Sequence, residues 1–244
     1  MKDHEILSER KKESYKIFDE IAPTYDFLNH LLSFGIDIRW RKKLLTHLPV
    51  VKSNREGLNV LDLATGTGDL ALVLGNHPKV KKVTGLDLSS GMIQFGQKKV
   101  VEKKLDKKVF LMIGDAVNIP SADENFDLVT ISFGIRNFSS AQKSLNDIHR
   151  VLKNNGRLMI MEFSIPKNAF FRAVYFFYFR KLLPFVGNII SGHKDAYTYL
   201  NKTVEDFPYG EAFLAMMKEA GFKNLKAIPL TFGIATLYIG DKQQ

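Results

Sequence analysis

Val60-Leu61-Asp62-Leu63-Ala64-Thr65-Gly66-Thr67-Gly68-Asp69 is the stretch that decides the fold. A short apolar run enters a glycine-rich turn, and apolar residues at helical spacing continue to about Gly75. Downstream the same grammar repeats. Strands are predicted at Lys82–Leu88, Val109–Ile113, Phe126–Ser132 and Arg157–Phe163, with helices over Ser90–Lys104 and Ser140–Leu152. Short buried strands alternating with helices predict a doubly wound, parallel α/β sheet.

The pattern changes near the end. After a helix at about Gly210–Ala220, the runs Leu225–Pro229 and Ile234–Ile239, joined through Gly233, read as an antiparallel hairpin. A parallel sheet closed by such a hairpin is typical of the class I methyltransferase, Rossmann-like fold. Upstream, residues 4–47 read as helical, with Ile17, Phe18, Ile21, Leu28, Leu31 and Leu32 on one face and a break at Pro23. Four parts follow: a helical cap or lid at 1–50, a core at 51–165, an aromatic-rich insertion at 166–206 and the rest of the sheet at 207–244.

Composition narrows the chemistry. The 244 residues are 45% hydrophobic, enough for a globular core. There is no cysteine, which excludes disulfides, thiolate metal sites and a thiol nucleophile. No metal is expected. The charged N-terminus has no apolar segment of a secretory signal, and no uncharged run is long enough to span a bilayer, so a cytoplasmic protein is expected. A net charge of +9 and a pI near 9.5 suit nucleic acid, an anionic membrane face or simple solubility.

The glycine turn lies where doubly wound sheets bind nucleotides, and Gly66 and Gly68 let backbone approach a ligand. Gly66-x-Gly68-x-x-Ala71 also satisfies a dinucleotide fingerprint. Charge separates the two readings. Asp69 at the helix start and Asp62 ahead of the loop oppose a pyrophosphate, yet they attract the sulfonium and ammonium of S-adenosylmethionine. Asp87 ends the second strand, where a carboxylate can accept ribose hydroxyls. Asp115 and Ala116 end the third, at the place of an adenine, and Ser132 ends the fourth, facing the donor's methionine end. A lone Asp at such a place could be an ordinary helix cap; three acidic positions after three successive strands make a site.

Three segments are more specific than the loop: Phe18-Asp19-Glu20-Ile21-Ala22-Pro23-Thr24-Tyr25-Asp26, Ser132-Phe133-Gly134-Ile135-Arg136-Asn137 and Glu162-Phe163-Ser164. They resemble the quinone-biosynthesis C-methyltransferase family, as do Ile190-Ser191-Gly192, Tyr197-Thr198-Tyr199-Leu200 and Phe207-Pro208. The resemblance runs from about Ser14 to Gly240, with Thr65 departing where a second glycine is common. It implies S-adenosylmethionine as donor, held by Thr67, Asp87, Asp115, Ala116 and Ser132. It also implies methylation of a ring carbon of demethylmenaquinol or a ubiquinol precursor.

The residues fit that chemistry. A quinol ring carbon becomes nucleophilic when its hydroxyl, titrating near 10 as a free phenol, loses its proton. Arg136, always charged, is expected to stabilise the phenolate, with Asn137 orienting the oxygen and Tyr25 completing the network from a lid. The alternatives are a surface Arg136 packed on Phe138 and a Tyr25 buried as plain core. The stretch Phe170–Pro184, dense in aromatics with cations interleaved, suits an interfacial element or the wall of a tunnel for a polyprenyl tail. A buried helix or a homodimer interface is its competing reading. With the basic surface, this predicts a peripheral membrane enzyme.

Three other functions compete. A nucleic-acid base methyltransferase lacks its usual Cys nucleophile here and its Asn/Asp-Pro-Pro-aromatic turn, so no nucleic acid partner is expected. A binding-only module and a nucleotide-dependent oxidoreductase remain, the latter opposed by Asp69.

Overall fold

The computed structural model describes residues 15, 16, 18, 19, 21, 22, 24–50, 56–182 and 203–243. Its centre is a seven-stranded sheet of β1 (Leu58–Leu63), β2 (Val80–Asp87), β3 (Val109–Ile113), β4 (Phe126–Ser132), β5 (Leu152–Phe163), β6 (Lys223–Leu230) and β7 (Ala235–Asp241). The order is β3-β2-β1-β4-β5-β7-β6. The first five strands pair in parallel, while β7 runs antiparallel to both β5 and β6. The expected hairpin therefore exists, with its second strand inserted next to β5.

The strands are apolar on both sides because both faces are covered. In β1, Leu58 and Val60 join one core with Leu70, Leu74 and Ile93, while Leu61 and Leu63 join another with Leu145, Ile148, Phe213 and Phe222. The first core packs beneath helices α1 (Ile36–Leu45), α2 (Asp69–Gly75) and α3 (Ser90–Glu102). The second is covered by α4 (Ala141–Val151) and α6 (Glu211–Glu219). A further helix, α5 (Ala169–Phe177), continues into a π-helical turn at Tyr178–Leu182.

Two local readings change. β5 begins at Leu152, not Arg157: Leu152, expected as the last residue of a helix, pairs with Phe126, and the chain stays in the sheet through Lys153-Asn154-Asn155-Gly156. Asn155 absorbs the bend at φ 63, and its N–H donates to Lys242 O. In the N-terminal part, residues 24–32 are helical and the chain turns at 33–35, where Gly35 takes φ 70 ahead of α1. The expected break at Pro23 lies outside the described residues. Trp40 of α1 donates from Nε1 to Thr231 Oγ1 at 2.9 Å, tying this part to the β6–β7 turn. No helix among the described residues is long and apolar enough to cross a membrane.

Candidate active site

The carboxyl ends of β1, β2, β3 and β4 open into two adjoining cavities. After β1, Ala64 and Gly66 both adopt left-handed backbone, at φ 49 and φ 56. A Cβ on Gly66 would meet nothing within 4 Å, so the turn faces open space where a ligand can lie against its backbone. Gly134, in the loop after β4, is needed for a different reason: its Cβ would come within 2.4 Å of Ala64 Cβ. The two loops approach that closely because position 134 has no side chain.

The smaller cavity, of about 190 Å³, is lined by Asp87, Leu88, Met92, Asp115, Ala116 and Phe138 among others. Asp87 accepts from Gly66 N at 2.8 Å through one oxygen and from Ser89 N at 2.9 Å through the other. Burial pushes its carboxyl above the usual carboxylate range against these bonds. Asp115 is exposed and accepts from Val117 N at 2.9 Å; Ala116 beside it is buried. The larger cavity, of about 390 Å³, is walled by Trp40, Phe133, Phe163, Phe171, Tyr175 and Phe179, with Arg136, Thr67 and Asp62 also at its surface. Gly66, Tyr25, Ser132, Phe133 and Asn137 line both, so they mark the junction. Gly68 lines neither; at φ 82 it caps α2. The aromatic stretch thus supplies a wall of the larger cavity; its last part, with the segments around Ser191 and Tyr197, lies outside the described residues.

Two polar atoms at the junction lack partners among the described residues. Ser132 Oγ and Asn137 Oδ1 are buried with no hydrogen bond among the described residues. Leaving such atoms unpaired costs about 1–3 kcal/mol each, so a ligand that pairs them gains by it. The buried Ser132 and Asn137 atoms, the two-oxygen carboxylate of Asp87 and the apolar floor at Ala116 and Leu88 fit a phosphate-free nucleoside such as S-adenosylmethionine. Tyr25 lines the junction from the N-terminal segment, and burial raises the pKa of its hydroxyl above the usual tyrosine value.

The charge argument for the donor needs correcting. Asp62 is not a free carboxylate: it is 1% exposed and accepts from Thr65 Oγ1 of the loop and from Thr130 Oγ1, both at 2.6 Å. Burial pushes its carboxyl up to about 6. Asp69 is not a free carboxylate either. Lys99 Nζ lies 2.6 Å from one oxygen, with Arg41 Nη2 at 3.4 Å and His30 Nε2 at 3.5 Å from the other. Lys99 also pairs with Asp26 at 2.6 Å, and Thr67 Oγ1 donates to Asp26. Asp37 is bonded by Arg41, His30 and Ser33. Asp26, Asp37 and Asp69 thus face two permanent cations, which leaves no surplus positive charge in this group for a pyrophosphate. The conclusion survives with a different cause. His30, Asp37 and Asp69 have ligand atoms within 4.8 Å of one another, but Arg41 and Lys99 already balance them.

Arg136 is not a surface residue on Phe138. It is 4% exposed, in the short 3₁₀ turn Ile135–Asn137, and its guanidinium lies over the Phe163 ring at 5.3 Å. Nη1 donates to Phe133 O and, at 2.7 Å, to Glu162 Oε1. Glu162, fully buried in β5, also accepts from Phe163 N at 2.8 Å. Phe133 sits at φ 59, its ring 4.5 Å from Phe163 and 5.7 Å from Trp40. The sequence reading gave no role to Glu162. An acid inside the apolar run Met159-Ile160-Met161-Glu162-Phe163 was the available signal. Asp26, Arg41, Lys99 and Tyr175 were also missed: Asp26 and Lys99 pair across long stretches of chain, Arg41 has a near partner in Asp37 but reaches Asp69 only through the fold, and Tyr175 sits among phenylalanines of like hydropathy.

Comparison with known proteins agrees with this layout. Residues 6–242 match the ubiE/COQ5 methyltransferase family. The chain is 44% identical over 237 residues to the ubiquinone/menaquinone biosynthesis C-methyltransferase UbiE of Geotalea uraniireducens, covering 97% of this chain and 99% of that one. It is also 44% identical to the demethylmenaquinone methyltransferase of Thermus thermophilus, covering 93% of this chain and all of the relative. Among solved structures, an S-adenosylmethionine-dependent methyltransferase from Thermotoga maritima, a possible histamine N-methyltransferase, superimposes with a TM-score of 0.66 at 20% identity. That match covers 94% of this chain and 99% of the other and concerns the fold. With a family match over almost its whole length and a doubly wound sheet carrying the expected loops, the chain belongs to the ubiE/COQ5 methyltransferase family.

Proposed function

We propose that this methyltransferase acts on a ring carbon of demethylmenaquinol, with S-adenosylmethionine as donor, to give menaquinol. A 2-polyprenyl-6-methoxy-1,4-benzoquinol is the alternative acceptor, suggested by the double name of the Geotalea relative. The observation that carries the reading is the larger cavity: an aromatic-walled space with two buried cations, Arg41 held by Asp37 and Arg136 against Phe163, next to a smaller cavity lined by Asp87, Asp115 and Ser132. The donor supplies an electrophilic methyl group on a sulfonium.

Asp87, Asp115, Ala116 and Ser132 hold the donor in the smaller cavity, and Gly66 and Gly68 shape the loop against it. The hydroxyl of Thr67 is taken by Asp26 and approached by Lys99, so we assign Thr67 the closing of the N-terminal segment over the loop as well. Arg136 and Asn137 bind the acceptor oxygen beside the carbon to be methylated. Tyr25, kept protonated by burial, donates a hydrogen bond there; it does not act as base. Arg136 cannot take the phenol proton either, and its role is to favour the phenolate; the O–H proton, and after transfer the proton on the methylated ring carbon, pass to water. Transfer from sulfonium to a phenolate-like carbon cancels charge, so the apolar wall favours the reaction.

Residues 1–50 then serve as lid, 51–165 as donor-binding core, 166–206 as acceptor wall and 207–244 as the completion of the sheet. Phe34, Phe170, Phe177 and Phe232 are 67–78% exposed. Such exposed aromatics, with the net charge of +9, support peripheral association with the cytoplasmic face of a membrane, where a polyprenyl quinol resides. The test is transfer of labelled methyl to demethylmenaquinone in detergent, before and after reduction. Label in menaquinone only after reduction is the expected result. No transfer in either state, with the donor bound, would refute the acceptor assignment.

A further inference from the structure

Among the aromatics of α5, Tyr175 is chemically out of place. Phe170, Phe171, Phe176 and Phe177 surround it in sequence, and Phe179 stacks on its ring with centroids 5.0 Å apart and planes 18° apart. Packing alone would be served by one more phenylalanine. Yet this residue carries a hydroxyl, is 5% exposed, and that hydroxyl has no hydrogen-bond partner among the described residues. A buried unpaired hydroxyl is a standing cost. Tyr178, three residues on, shows the usual solution: its hydroxyl donates to Leu32 O.

Tyr175 lines the larger cavity, in the electrostatic reach of Arg136 and Glu162, and is absent from the smaller one. Tyr25 and Asn137 line both cavities and so stand at the junction with the donor. Burial raises the pKa of Tyr175 far above the usual tyrosine value, so its hydroxyl is a permanent donor. A para-hydroquinone carries two oxygens at opposite ends of one ring. The oxygen beside the methyl-accepting carbon belongs at the junction, and the other projects away from the donor.

Resting on the acceptor proposed above, we infer that Tyr175 donates a hydrogen bond to the distal oxygen of a para-hydroquinone and so selects acceptors with two oxygens. An acceptor without that oxygen leaves the hydroxyl unpaired, which is how polar pockets discriminate.

The test compares wild type and Tyr175→Phe on two prenylated acceptors, a 1,4-naphthohydroquinone and the 1-naphthol that lacks the distal oxygen. The variant removes one unpaired oxygen and keeps the ring, so its melting temperature should be at or above that of wild type and its affinity for S-adenosylhomocysteine should be unchanged. Expected is a loss of roughly 10-fold in kcat/KM on the hydroquinone, mostly in KM, with the naphthol unchanged. Undiminished preference for the hydroquinone in the variant would overturn the assignment. So would a joint fall in melting temperature and donor affinity, which would mark a structural role. Absence of transfer by the wild type itself would overturn the functional reading on which the inference rests.

Discussion

The two cavities meet at Ser132 and Asn137, but they are built by different rules. The side we propose for the donor is assembled from strand ends that follow one another in sequence: the loop after β1, Asp87 at the end of β2, Asp115 and Ala116 after β3. Its key bonds are local to these loops, as in Gly66 N to Asp87 Oδ2. The acceptor side draws on the N-terminal segment, the turn after β4, the end of β5, α5 and the β6–β7 turn. Its bonds cross long stretches of chain, from Trp40 to Thr231 and from Tyr178 to Leu32. A general donor site can reside in a repeated strand-end geometry, whereas selection of one acceptor needs surfaces brought from many places.

That contrast breaks most visibly at the buried pair Arg136–Glu162. Replacing Glu162 with Gln leaves an uncompensated guanidinium in the acceptor wall, and breaking such a pair costs about 3–5 kcal/mol. For a domain of this size the expected fall in melting temperature is roughly 10 °C. The double variant Arg136→Met/Glu162→Gln, with no buried charge left, should recover most of it. Thermal unfolding of the two variants checks this, and equal losses in both would show that the pair carries no special burden.

A second, somewhat smaller effect belongs to Asp62, at the end of β1 on the surface of the larger cavity. Asp62 holds its proton more tightly in the folded chain, at about 6, than at the ordinary value of 3.8. Its contribution to stability is therefore complete below about pH 4 and is lost as pH rises through about 6. At pH 8 the folded chain carries a buried charge at a cost on the order of 3 kcal/mol. Asp62→Asn should then melt several degrees above wild type at pH 8, with the gap closing toward pH 4. A gap that does not change with pH would exclude this ionisation as its cause.

The smallest effect sharpens the contrast at the cavity mouth. Phe171 stacks on Phe232 with ring centroids 4.1 Å apart, an exposed-edge pairing worth about 1 kcal/mol beyond area. Phe171→Ala should raise KM for the acceptor several-fold and leave donor affinity unchanged. A matching change in donor affinity would show that the two cavities are not separable there.

What could be read in the sequence divides along the same line. The alternation of apolar runs, the glycine loop and the acids at Asp87 and Asp115 are short-range signals, and the sheet and the smaller cavity follow from them. Ser132-Phe133-Gly134-Ile135-Arg136-Asn137 was legible as a motif, but its burial was not. Nothing near Arg136 in sequence announces that Glu162, 26 residues away, will hold its guanidinium. Asp69 misled for the same reason, since the cations that pair with it come from positions 41 and 99. Tyr175 was hidden among phenylalanines of equal hydrophobic value, and only its missing partner distinguishes it.

The most direct test of separate donor and acceptor sides is calorimetric titration of S-adenosylhomocysteine into Asp87→Ala and Arg136→Met, paired with single-turnover methyl transfer. Asp87→Ala should bind roughly 100-fold more weakly, having lost a charged acceptor of hydrogen bonds. Arg136→Met should bind within about twofold of wild type yet transfer methyl about 10³-fold more slowly, the loss expected for one electrostatic contact to a developing charge. If Arg136→Met instead loses donor binding and transfer in proportion, the two cavities are one energetic unit and the account is wrong.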